Sequence, residues 1–333
     1  MSSSRKPKIV VLGTGGTIAG HGASTVNTAA YACSVRPIEQ ILIEIPAIAL
    51  IANVKTEQVL QMGSENFGSA QLLMLRKRIA ALLQDDEVDG VVVTHGTDTL
   101  DETAYFLHLT LNSVKPVVIV GAMRPPTALS ADGPLNLYNA MVLAASPESQ
   151  AKGILVVAND EIHSARDVVK SSTFKLEAFA SPYGPLGYVV EGRPSFYRLP
   201  ARRHTVNSIW SGSEIHQLPE VGIVYAHGGV SPATIAAMAR SGVSAIIYAA
   251  TGSGNVAADM VDALRQARAE GIHIVRASRT GSGIVMRNGA QPDDRYDWLA
   301  VDDQVPHKAR ILLMLALTRY TATRELQDVF QAY

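Results

Sequence analysis

Short runs of Val, Ile and Leu recur along this chain of 333 residues, and they constrain its fold more than any other feature. Each run is bounded by Gly or by polar residues. Continuous apolar runs of this length are typical of strands that are buried on both faces of a parallel sheet. We therefore predict strands at 8–12, 90–95, 116–122, 153–159, 221–227, 244–250 and 272–278.

Stretches with apolar residues at three- and four-residue spacing lie between these runs, and such spacing predicts helices. The predicted helices are 70–84, 99–111, 133–146, 231–241, 257–270 and 306–318. Strand, loop and helix in alternation indicate an α/β fold. We expect a large N-terminal domain, with a mostly parallel sheet flanked by helices, and a smaller C-terminal α/β domain.

The region 191–220 interrupts this alternation, because it is rich in Pro, Arg and Ser and has no long apolar run. Such a composition is typical of a connection between domains. We predict an N-terminal domain at 1–195, a linker at 196–220 and a C-terminal domain at 221–333.

The charge balance limits the partners that this chain can have. Lys and Arg number 29 and Asp and Glu number 30, so the net charge is −1. This balance does not favour nucleic acid or an anionic membrane as a partner. No run of apolar residues is long enough to cross a bilayer, and the run after the basic N-terminus is too short for a secretory signal. We expect a cytoplasmic protein, although a mature exported chain with an added Met would look the same.

The potential metal ligands are sparse. Cys33 is the one cysteine, so an internal disulfide and a cysteine-type zinc site are excluded. The nine histidines include no HExxH pair, so we do not expect a metal site on a helix. We predict neither a metal nor a cofactor.

The glycine-rich stretch "GTGGTIAG" at 13–20 follows the first predicted strand and resembles a phosphate-binding turn. A dinucleotide fingerprint needs a third glycine where Ile18 stands, and a Walker loop needs a lysine where His21 stands. Both nucleotide interpretations therefore lack the required chemistry. What remains is a tight turn with two hydroxyls, Thr14 and Thr17. These either satisfy nearby backbone groups or act as a nucleophile.

A second informative stretch, "VVVTHGTDTLDETAYF", occupies 91–106. A buried strand is predicted to end at Thr94, and Thr97 and Asp98 follow before a helix. Loops at the carboxyl ends of parallel strands line one crevice, so Thr17 and the Thr97–Asp98 pair are expected to share it. Taken alone, Asp98 could equally be a helix N-cap.

Together the two stretches resemble the L-asparaginase family, specifically the bacterial type II-like asparaginases and glutaminase-asparaginases. The resemblance extends from about residue 8 to the C-terminus. It includes "KPVVIVGAMRPPTALSADGPLNLYNA" at 115–140, "RDVVKS" at 166–171, "YGPLGYV" at 183–189 and "KARILLMLALT" at 308–318. It implies hydrolysis of L-asparagine to L-aspartate and ammonia through an acyl-enzyme, without a metal or a cofactor.

The resemblance implies a catalytic role for five residues. Thr17 would attack the amide carbon, and Tyr31, on a small-residue lid at 20–37, would orient or deprotonate it. Thr97, Asp98 and Lys170 would form a second group that accepts or relays a proton. Backbone N–H groups near Gly16 and Thr97 would form the oxyanion hole.

The resemblance also implies how the substrate is held. Asp98 and Glu65 would contact the α-ammonium group, and Ser64 would donate to the α-carboxylate. Ala122 would offer its carbonyl to the leaving amide. Asn255, in "GTGSGN", would reach the ammonium group from a neighbouring subunit of a homotetramer built from two intimate dimers.

Two positions depart from the family pattern. Relatives carry a glutamate that supports the catalytic tyrosine, and the alignment of "RNGAQPDDRYDW" at 287–298 puts Ala290 there, with Gln291 as a partial substitute. Glu65 is typical of relatives that also accept glutamine, whereas Asn255 is typical of those that prefer asparagine. We predict asparagine as the better substrate, with appreciable glutamine hydrolysis.

Two other classes of function compete with this hypothesis. The α/β pattern and the glycine-rich turn would also suit a nucleotide-binding dehydrogenase or kinase, which NAD or ATP would stabilise against heat. Ala290 would suit an amino-acid sensor with weak or absent catalysis, which would bind aspartate but release no ammonia.

Overall fold

The computed structural model describes residues 5–333, so residues 1–4 of the predicted N-terminal domain lie outside the described residues. The chain divides into two compact units, one up to Ser213 and one at Glu214–Tyr333. This division falls inside the predicted linker, 196–220. No helix in the described part of the chain combines the length and apolarity that a membrane crossing requires.

The first unit is built on an eight-stranded sheet with two small two-stranded sheets beside it. Its strands are β1 (Lys8–Gly13), β2 (His21–Gly22), β3 (Tyr31–Ala32), β4 (Asn53–Gln58), β5 (Gly90–Thr94), β6 (Val117–Val120), β7 (Ile154–Ala158), β8 (Glu161–Ser164), β9 (Val169–Lys170), β10 (Phe179–Ala180), β11 (Gly187–Val190) and β12 (Arg193–Phe196). Its helices are α1 (Ile38–Ile43), α2 (Ile48–Ile51), α3 (Ser69–Leu83), α4 (Leu100–Thr110) and α5 (Gly133–Ala145).

The order of strands in the large sheet is β12-β11-β8-β7-β6-β5-β1-β4. The five strands from β4 to β7 are parallel, and β8, β11 and β12 are added in antiparallel pairs. After β1 the chain crosses to β4 on one side, whereas after β5 it crosses to β6 on the other. Connections that diverge in this way leave a crevice at the carboxyl ends of the two strands, here between β1 and β5.

Both faces of the parallel strands β1, β5, β6 and β7 are buried. Side chains of alternate strand residues form one core with α1, α2 and α5, including Ile9, Val11, Val92, Val118, Leu155, Ile41, Ile48, Leu137 and Met141. The intervening strand residues, such as Val10, Leu12 and Val93, are also fully buried. Because neither face is solvated, these strands read as continuous apolar runs rather than as alternating ones.

The second unit has a parallel sheet of four strands in the order β13-β14-β15-β16. Its elements are β13 (Val221–Tyr225), α6 (Ala233–Arg240), β14 (Ala245–Ala250), α7 (Ala258–Ala269), β15 (His273–Ser278), α8 (Asp293–Tyr296), β16 (Leu299–Ala300), α9 (Pro306–Ala316) and α10 (Thr323–Ala332). Its core joins Ile246, Tyr248, Ile274, Met260 and Trp298. The predicted α/β class, with a larger first and a smaller second domain, is confirmed.

The seven strands and six helices that the apolar patterns predict are all present, each within a few residues of its predicted bounds. The sequence analysis did not predict β4, β16, the antiparallel strands or the helices α1, α2, α8 and α10. β4 is mostly exposed, and β12 has no fully buried residue, so neither shows an apolar run. β12 pairs with β11 in the large sheet and lies in the region 191–220, where no strand was expected.

Candidate active site

The loops that follow β1 and β5 touch each other at two glycines. Gly13 and Thr94 are opposite each other at the ends of the paired strands. A Cβ atom on Gly16 would lie 2.3 Å from Gly96 Cα, so no other residue fits there without moving one of the loops. Gly16 also has a φ of 84°, which glycine adopts at little cost. This contact brings Thr17 and Thr97, each one residue beyond a glycine, to the same place.

Thr17 opens a turn of 3-10 helix, Thr17–Ala19, and its side chain is buried. Its Oγ1 lies 2.7 Å from the hydroxyl oxygen of Tyr31. Tyr31 is on β3, the second strand of a hairpin in which Gly22 pairs with Tyr31. The predicted pair is therefore formed between the first turn and the segment that follows it.

The pKa of the Tyr31 phenol is raised above its ordinary value of 10.0. Burial is the main cause, since removal from water penalises the phenolate, and the hydrogen bond with Thr17 opposes it. At neutral pH Tyr31 is therefore a neutral hydroxyl, which can both accept and donate a hydrogen bond, rather than a ready-made phenolate base.

The second threonine has a charged partner. Lys170 Nζ donates to Thr97 Oγ1 over 2.8 Å and to Asp98 Oδ1 over 2.6 Å. Lys170 lies on β9, which pairs with β10, so it is on a short strand and not at the end of a helix. The predicted Thr97–Lys170–Asp98 group is assembled as expected, and the Asp98 carboxylate bonds to Lys170 instead of capping a helix.

Asp101 holds the backbone of Lys170, and sequence reasoning missed it. This buried carboxylate accepts from the Lys170 N–H over 3.2 Å and from the Glu102 N–H over 3.0 Å. Asp101 lies three residues after Asp98 at the start of α4, where acidic residues are common. This ordinary position gave no signal that it contacts a residue 69 positions away in sequence.

Ser64 caps the N-terminus of α4 from outside the helix. Its Oγ accepts from the N–H groups of Asp98 and Thr99 over 3.1 and 3.3 Å, and its carbonyl accepts from Thr99 Oγ1 over 2.7 Å. Both hydroxyl contacts use lone pairs of the oxygen, so its O–H is left to donate to a ligand. Glu65 follows it, exposed, with one carboxylate oxygen 2.9 Å from Asn66 Nδ2.

These side chains line one cavity of about 300 Å³ in the first unit. Ligand pockets start at about this volume, so the cavity suits a molecule the size of an amino acid. The predicted residues that line it are Gly16, Thr17, Tyr31, Ser64, Glu65, Thr97, Asp98 and Lys170. Its other lining residues, not predicted for the site, are Thr28, Ala29, Cys33, Gly63, Gly96, Met123, Arg124, Thr173 and Phe174.

Two predicted residues do not line this cavity. Ala122 is buried just after β6, next to Met123, which does line it. Asn255 lies in the second unit, in a turn closed by a bridge between Thr251 and Asn255. Gln291 contacts the residue after Asn255, through a 3.4 Å bond from its Nε2 to the Val256 carbonyl.

The backbone N–H groups around the two threonines differ in availability. The Gly16 N–H already donates to Ser34 Oγ over 2.7 Å. Within residues 5–333, the N–H groups of Thr17 and Thr97 have no hydrogen-bond acceptor. These two N–H groups, and not that of Gly16, are thus available to a ligand oxygen.

His95 is bonded to the loop that follows β5. Its ring is fully buried, it lies 4.5 Å from the Phe67 ring between centroids, and Nδ1 is 2.7 Å from the Gly96 carbonyl. Burial lowers the His95 pKa to about 4, so the ring is neutral at pH 7 and Nδ1–H donates to this carbonyl. Within the described residues, no group of three or more His, Cys, Asp or Glu side chains is placed to hold a metal ion.

The cavity of this α/β fold brings two threonine hydroxyls, a phenol and an amine together beside the carboxyl ends of β1 and β5. Residues 8–202 match the family model described as asparaginase, N-terminal, and residues 220–330 match the glutaminase/asparaginase C-terminal domain. The chain belongs to the asparaginase family.

Similar proteins cover nearly the whole chain. A glutaminase-asparaginase of Pseudomonas fluorescens biotype A is 50% identical over 98% of this chain and 90% of that protein. L-asparaginase 2 of Escherichia coli is 42% identical over 98% of this chain and 93% of that protein. The crystal structure of a probable cytoplasmic L-asparaginase from Campylobacter jejuni superposes with a TM-score of 0.95 at 42% identity, covering 98% of this chain and all of that one.

Proposed function

We propose that this protein hydrolyses L-asparagine to L-aspartate and ammonia, with Thr17 as the nucleophile and with appreciable activity on L-glutamine. The observation that carries the proposal is the pairing of two threonine hydroxyls, one with Tyr31 and one with Lys170, in one amino-acid-sized cavity. The names of the relatives, glutaminase-asparaginase and L-asparaginase, support this substrate class.

The substrate is held by groups that complement an amino acid. The Ser64 O–H donates to the α-carboxylate, and the carboxylates of Asp98 and Glu65 attract the α-ammonium group. Asp98 is suited to this because one of its oxygens bonds to Lys170 while its side chain remains 62% exposed. This arrangement directs the side-chain amide toward the two threonines, with the Ala122 carbonyl as a potential acceptor for its N–H.

In the first step, Thr17 Oγ1 forms a bond to the amide carbon, and the carbonyl oxygen becomes an oxyanion. The N–H groups of Thr17 and Thr97 stabilise this charge. The Thr17 proton passes to the Tyr31 oxygen as Tyr31 gives up its own proton, which hydroxyl groups relay to the leaving nitrogen. The C–N bond breaks and ammonia leaves. Water then adds to the ester carbon, the bond between this carbon and Thr17 Oγ1 breaks, one water proton returns to Thr17 Oγ1, and aspartate is released.

Thr17 is favoured over Thr97 as the nucleophile because of the partners of the two hydroxyls. A nucleophilic hydroxyl must give up its proton, and the Tyr31 hydroxyl can take this proton while it passes its own on. The ammonium of Lys170 only donates, so Thr97 Oγ1 is a hydrogen-bond acceptor in that pair. We assign Thr97 and Lys170 to proton relay toward the leaving group and water.

The decisive experiment compares ammonia release from asparagine and glutamine by the wild type, Thr17→Ala and Thr17→Ser. Removal of the hydroxyl should lower kcat by at least about 10⁴-fold, whereas Thr17→Ser should retain measurable turnover. Circular dichroism checks that the variants are folded. Substantial turnover by Thr17→Ala would refute the assignment of the nucleophile.

Glutamine is the second candidate substrate, because the Pseudomonas relatives at 50% and 49% identity are named glutaminase-asparaginase. An additional methylene changes specificity by only about 1–3 kcal/mol, so small differences in the cavity can decide the ratio. We propose that kcat/KM is higher for asparagine. A higher kcat/KM for glutamine in the same assay would reverse this order.

The proposed assembly is a homotetramer in which Asn255 of one subunit reaches the ammonium group in a neighbour's cavity. Asn255 lies in a closed turn of the second unit and is not among the residues that line the cavity, which is compatible with that role. Light scattering would measure the assembly, and Asn255→Ala should raise KM more than it lowers kcat. The compartment stays a prediction, since the relatives' names include both cytoplasmic and periplasmic proteins.

A further inference from the structure

Ser34 lies outside the predicted site but contacts the turn that carries Thr17. Its Oγ accepts from the Gly16 N–H over 2.7 Å, and its own N–H donates to the Gly16 carbonyl over 3.2 Å. Its carbonyl accepts from Gln61 Nε2 over 2.8 Å. We call this set, Gly16, Ser34 and Gln61, the Ser34 clasp.

The clasp depends on two unusual backbone conformations. Ser34 has a φ of 57°, in the left-handed region that non-glycine residues rarely adopt. Gly15 has a φ of 107°, and a Cβ atom there would lie 2.5 Å from Ser34 Oγ. A residue held in a sparsely populated conformation persists when its surroundings impose it, and such residues concentrate at functional sites.

The position of Ser34 in the chain ties Tyr31 to the nucleophile turn. The β2–β3 hairpin leaves the turn at His21 and returns with Tyr31, three residues before Ser34. Beyond the clasp, the N–H groups of Val35 and Arg36 donate to the Ala19 carbonyl over 2.9 and 3.0 Å. The end of the hairpin is therefore fastened to the turn Gly16–Ala19 at two points.

The clasp also determines which backbone donor is available to a ligand. Because Ser34 Oγ accepts the Gly16 N–H, this group is directed away from a substrate oxygen. The next N–H, that of Thr17, has no acceptor within residues 5–333. Fixing the peptide at Gly16 sets the direction of both the Thr17 N–H and the Thr17 side chain.

We propose that Ser34 is a positioning residue for this reaction: through the clasp it orients the peptide before Thr17 and the returning hairpin, so that the Thr17 hydroxyl, the Thr17 N–H and the Tyr31 hydroxyl are aligned. The inference rests on the proposed function, and it assigns a role to a residue that does not line the cavity. It concerns the geometry of attack more than substrate binding.

The principal test is Ser34→Gly, because glycine keeps the left-handed φ while removing the hydroxyl. We expect kcat for asparagine to fall by about 10- to 100-fold, as for small misplacements of reacting groups, with KM changed by less than about 3-fold. Ser34→Ala should behave in the same way. If Ser34→Ala matches the wild type while Ser34→Gly is impaired, chain flexibility and not the hydroxyl is responsible, and the proposal is overturned.

Ser130→Gly is the matched control. Ser130 is an exposed serine with a φ of 53°, and its carbonyl, not its hydroxyl, contacts Arg124. Its replacement should leave kcat within about 2-fold of the wild type, as expected for a surface position without a special contact. A fall in kcat equal to that of Ser34→Gly would show that a left-handed glycine in this part of the molecule is harmful in itself, and would overturn the proposal.

Cys33, the one cysteine of the chain, offers a second readout that does not depend on turnover. It is exposed, lies next to Ser34 and lines the cavity. The rate at which iodoacetamide alkylates Cys33 should rise several-fold in Ser34→Gly, since the hairpin end is released. Equal alkylation rates with unchanged kcat would overturn the proposal. If the wild type released no ammonia, the proposed function would fail, yet this rate would still show whether the clasp holds the hairpin.

Discussion

The loops that carry Thr17 and Thr97 start from similar strands, but the two threonines have different hydrogen-bond partners. Each follows a buried parallel strand, β1 or β5, and each places a threonine directly after a glycine at the Gly16–Gly96 contact. Thr17 bonds to a neutral phenol on a two-stranded hairpin. Thr97 bonds to an ammonium group whose backbone is held by the buried Asp101.

This difference indicates that the two threonine groups differ in rigidity and in role. The Thr97 group is supported by α4, β9 and a network of charged hydrogen bonds, so it is expected to persist whether or not a ligand is present. The Thr17–Tyr31 pair depends on a hairpin that the Ser34 clasp and the bonds to Ala19 fasten to the turn. The comparison therefore predicts a rigid proton relay beside an adjustable nucleophile.

Among replacements of the residues that contact the two threonines, Lys170→Met should lower kcat most. It removes the donor to both Thr97 and Asp98, and loss of a proton relay lowers kcat by about 10³-fold. Steady-state ammonia release measures this effect. Lys175→Met, an exposed lysine on the same segment, is the control and should behave as the wild type. A loss below 10-fold in Lys170→Met would contradict the assigned relay.

Replacement of Tyr31 by Phe should have a smaller effect, about 10- to 100-fold on kcat, because the ring remains and water can carry the proton. The raised pKa of Tyr31 adds a prediction about pH. The group is protonated below its pKa, so its ionisation should not alter the wild-type kcat between pH 7 and 9. Stopped-time assays across this range check both points, with Tyr197→Phe, an exposed tyrosine, as the control.

A greater loss in Tyr31→Phe than in Lys170→Met would invert the comparison between the two loops. It would assign the main proton transfer to the hairpin rather than to the charged group. A decline of wild-type kcat that starts below pH 9 and is absent from Tyr31→Phe would show that the phenol ionises in the working range.

Replacement of His95 by Asn should have the smallest effect on kcat. It should, however, change how the free energy of unfolding depends on pH. Its pKa is about 4 in the folded protein and 6.5 in its ordinary state. The unfolded chain therefore binds more protons as the pH falls through 6.5, and the folded state loses about 2–3 kcal/mol of stability between pH 7.5 and 4.5. His95→Asn keeps a donor for the Gly96 carbonyl but does not titrate.

Urea unfolding of both proteins at these two pH values measures the difference. The wild type should lose more free energy of unfolding than His95→Asn on acidification, since other histidines contribute equally to both. Identical losses would show that His95 is not kept neutral by its burial. At pH 7.5 the kcat of His95→Asn should remain closer to the wild type than that of Tyr31→Phe.

The local pattern of the chain determined most of the central architecture. Strands such as β5 and β7 are buried on both faces. Consecutive residues along each strand are therefore apolar, and the strand appears in the sequence as a continuous apolar run. The glycines and threonines of the two loops carried their own motif. These loops indicated Thr17, Thr97 and Asp98 as candidates, and the resemblance to the asparaginase family added Tyr31, Ser64, Glu65 and Lys170 before their distances were known.

Only the tertiary structure decided which distant groups meet. The placement of β4 beside β1, which creates the crevice next to β5, depends on the packing of helices and on an exposed strand without an apolar run. Asp101 contacts Lys170, and Ser34 contacts Gly16, across 69 and 18 residues of chain. A serine with φ near 57° has no signature in sequence, because its conformation is imposed by hydrogen bonds that form only when the turn and the hairpin come together.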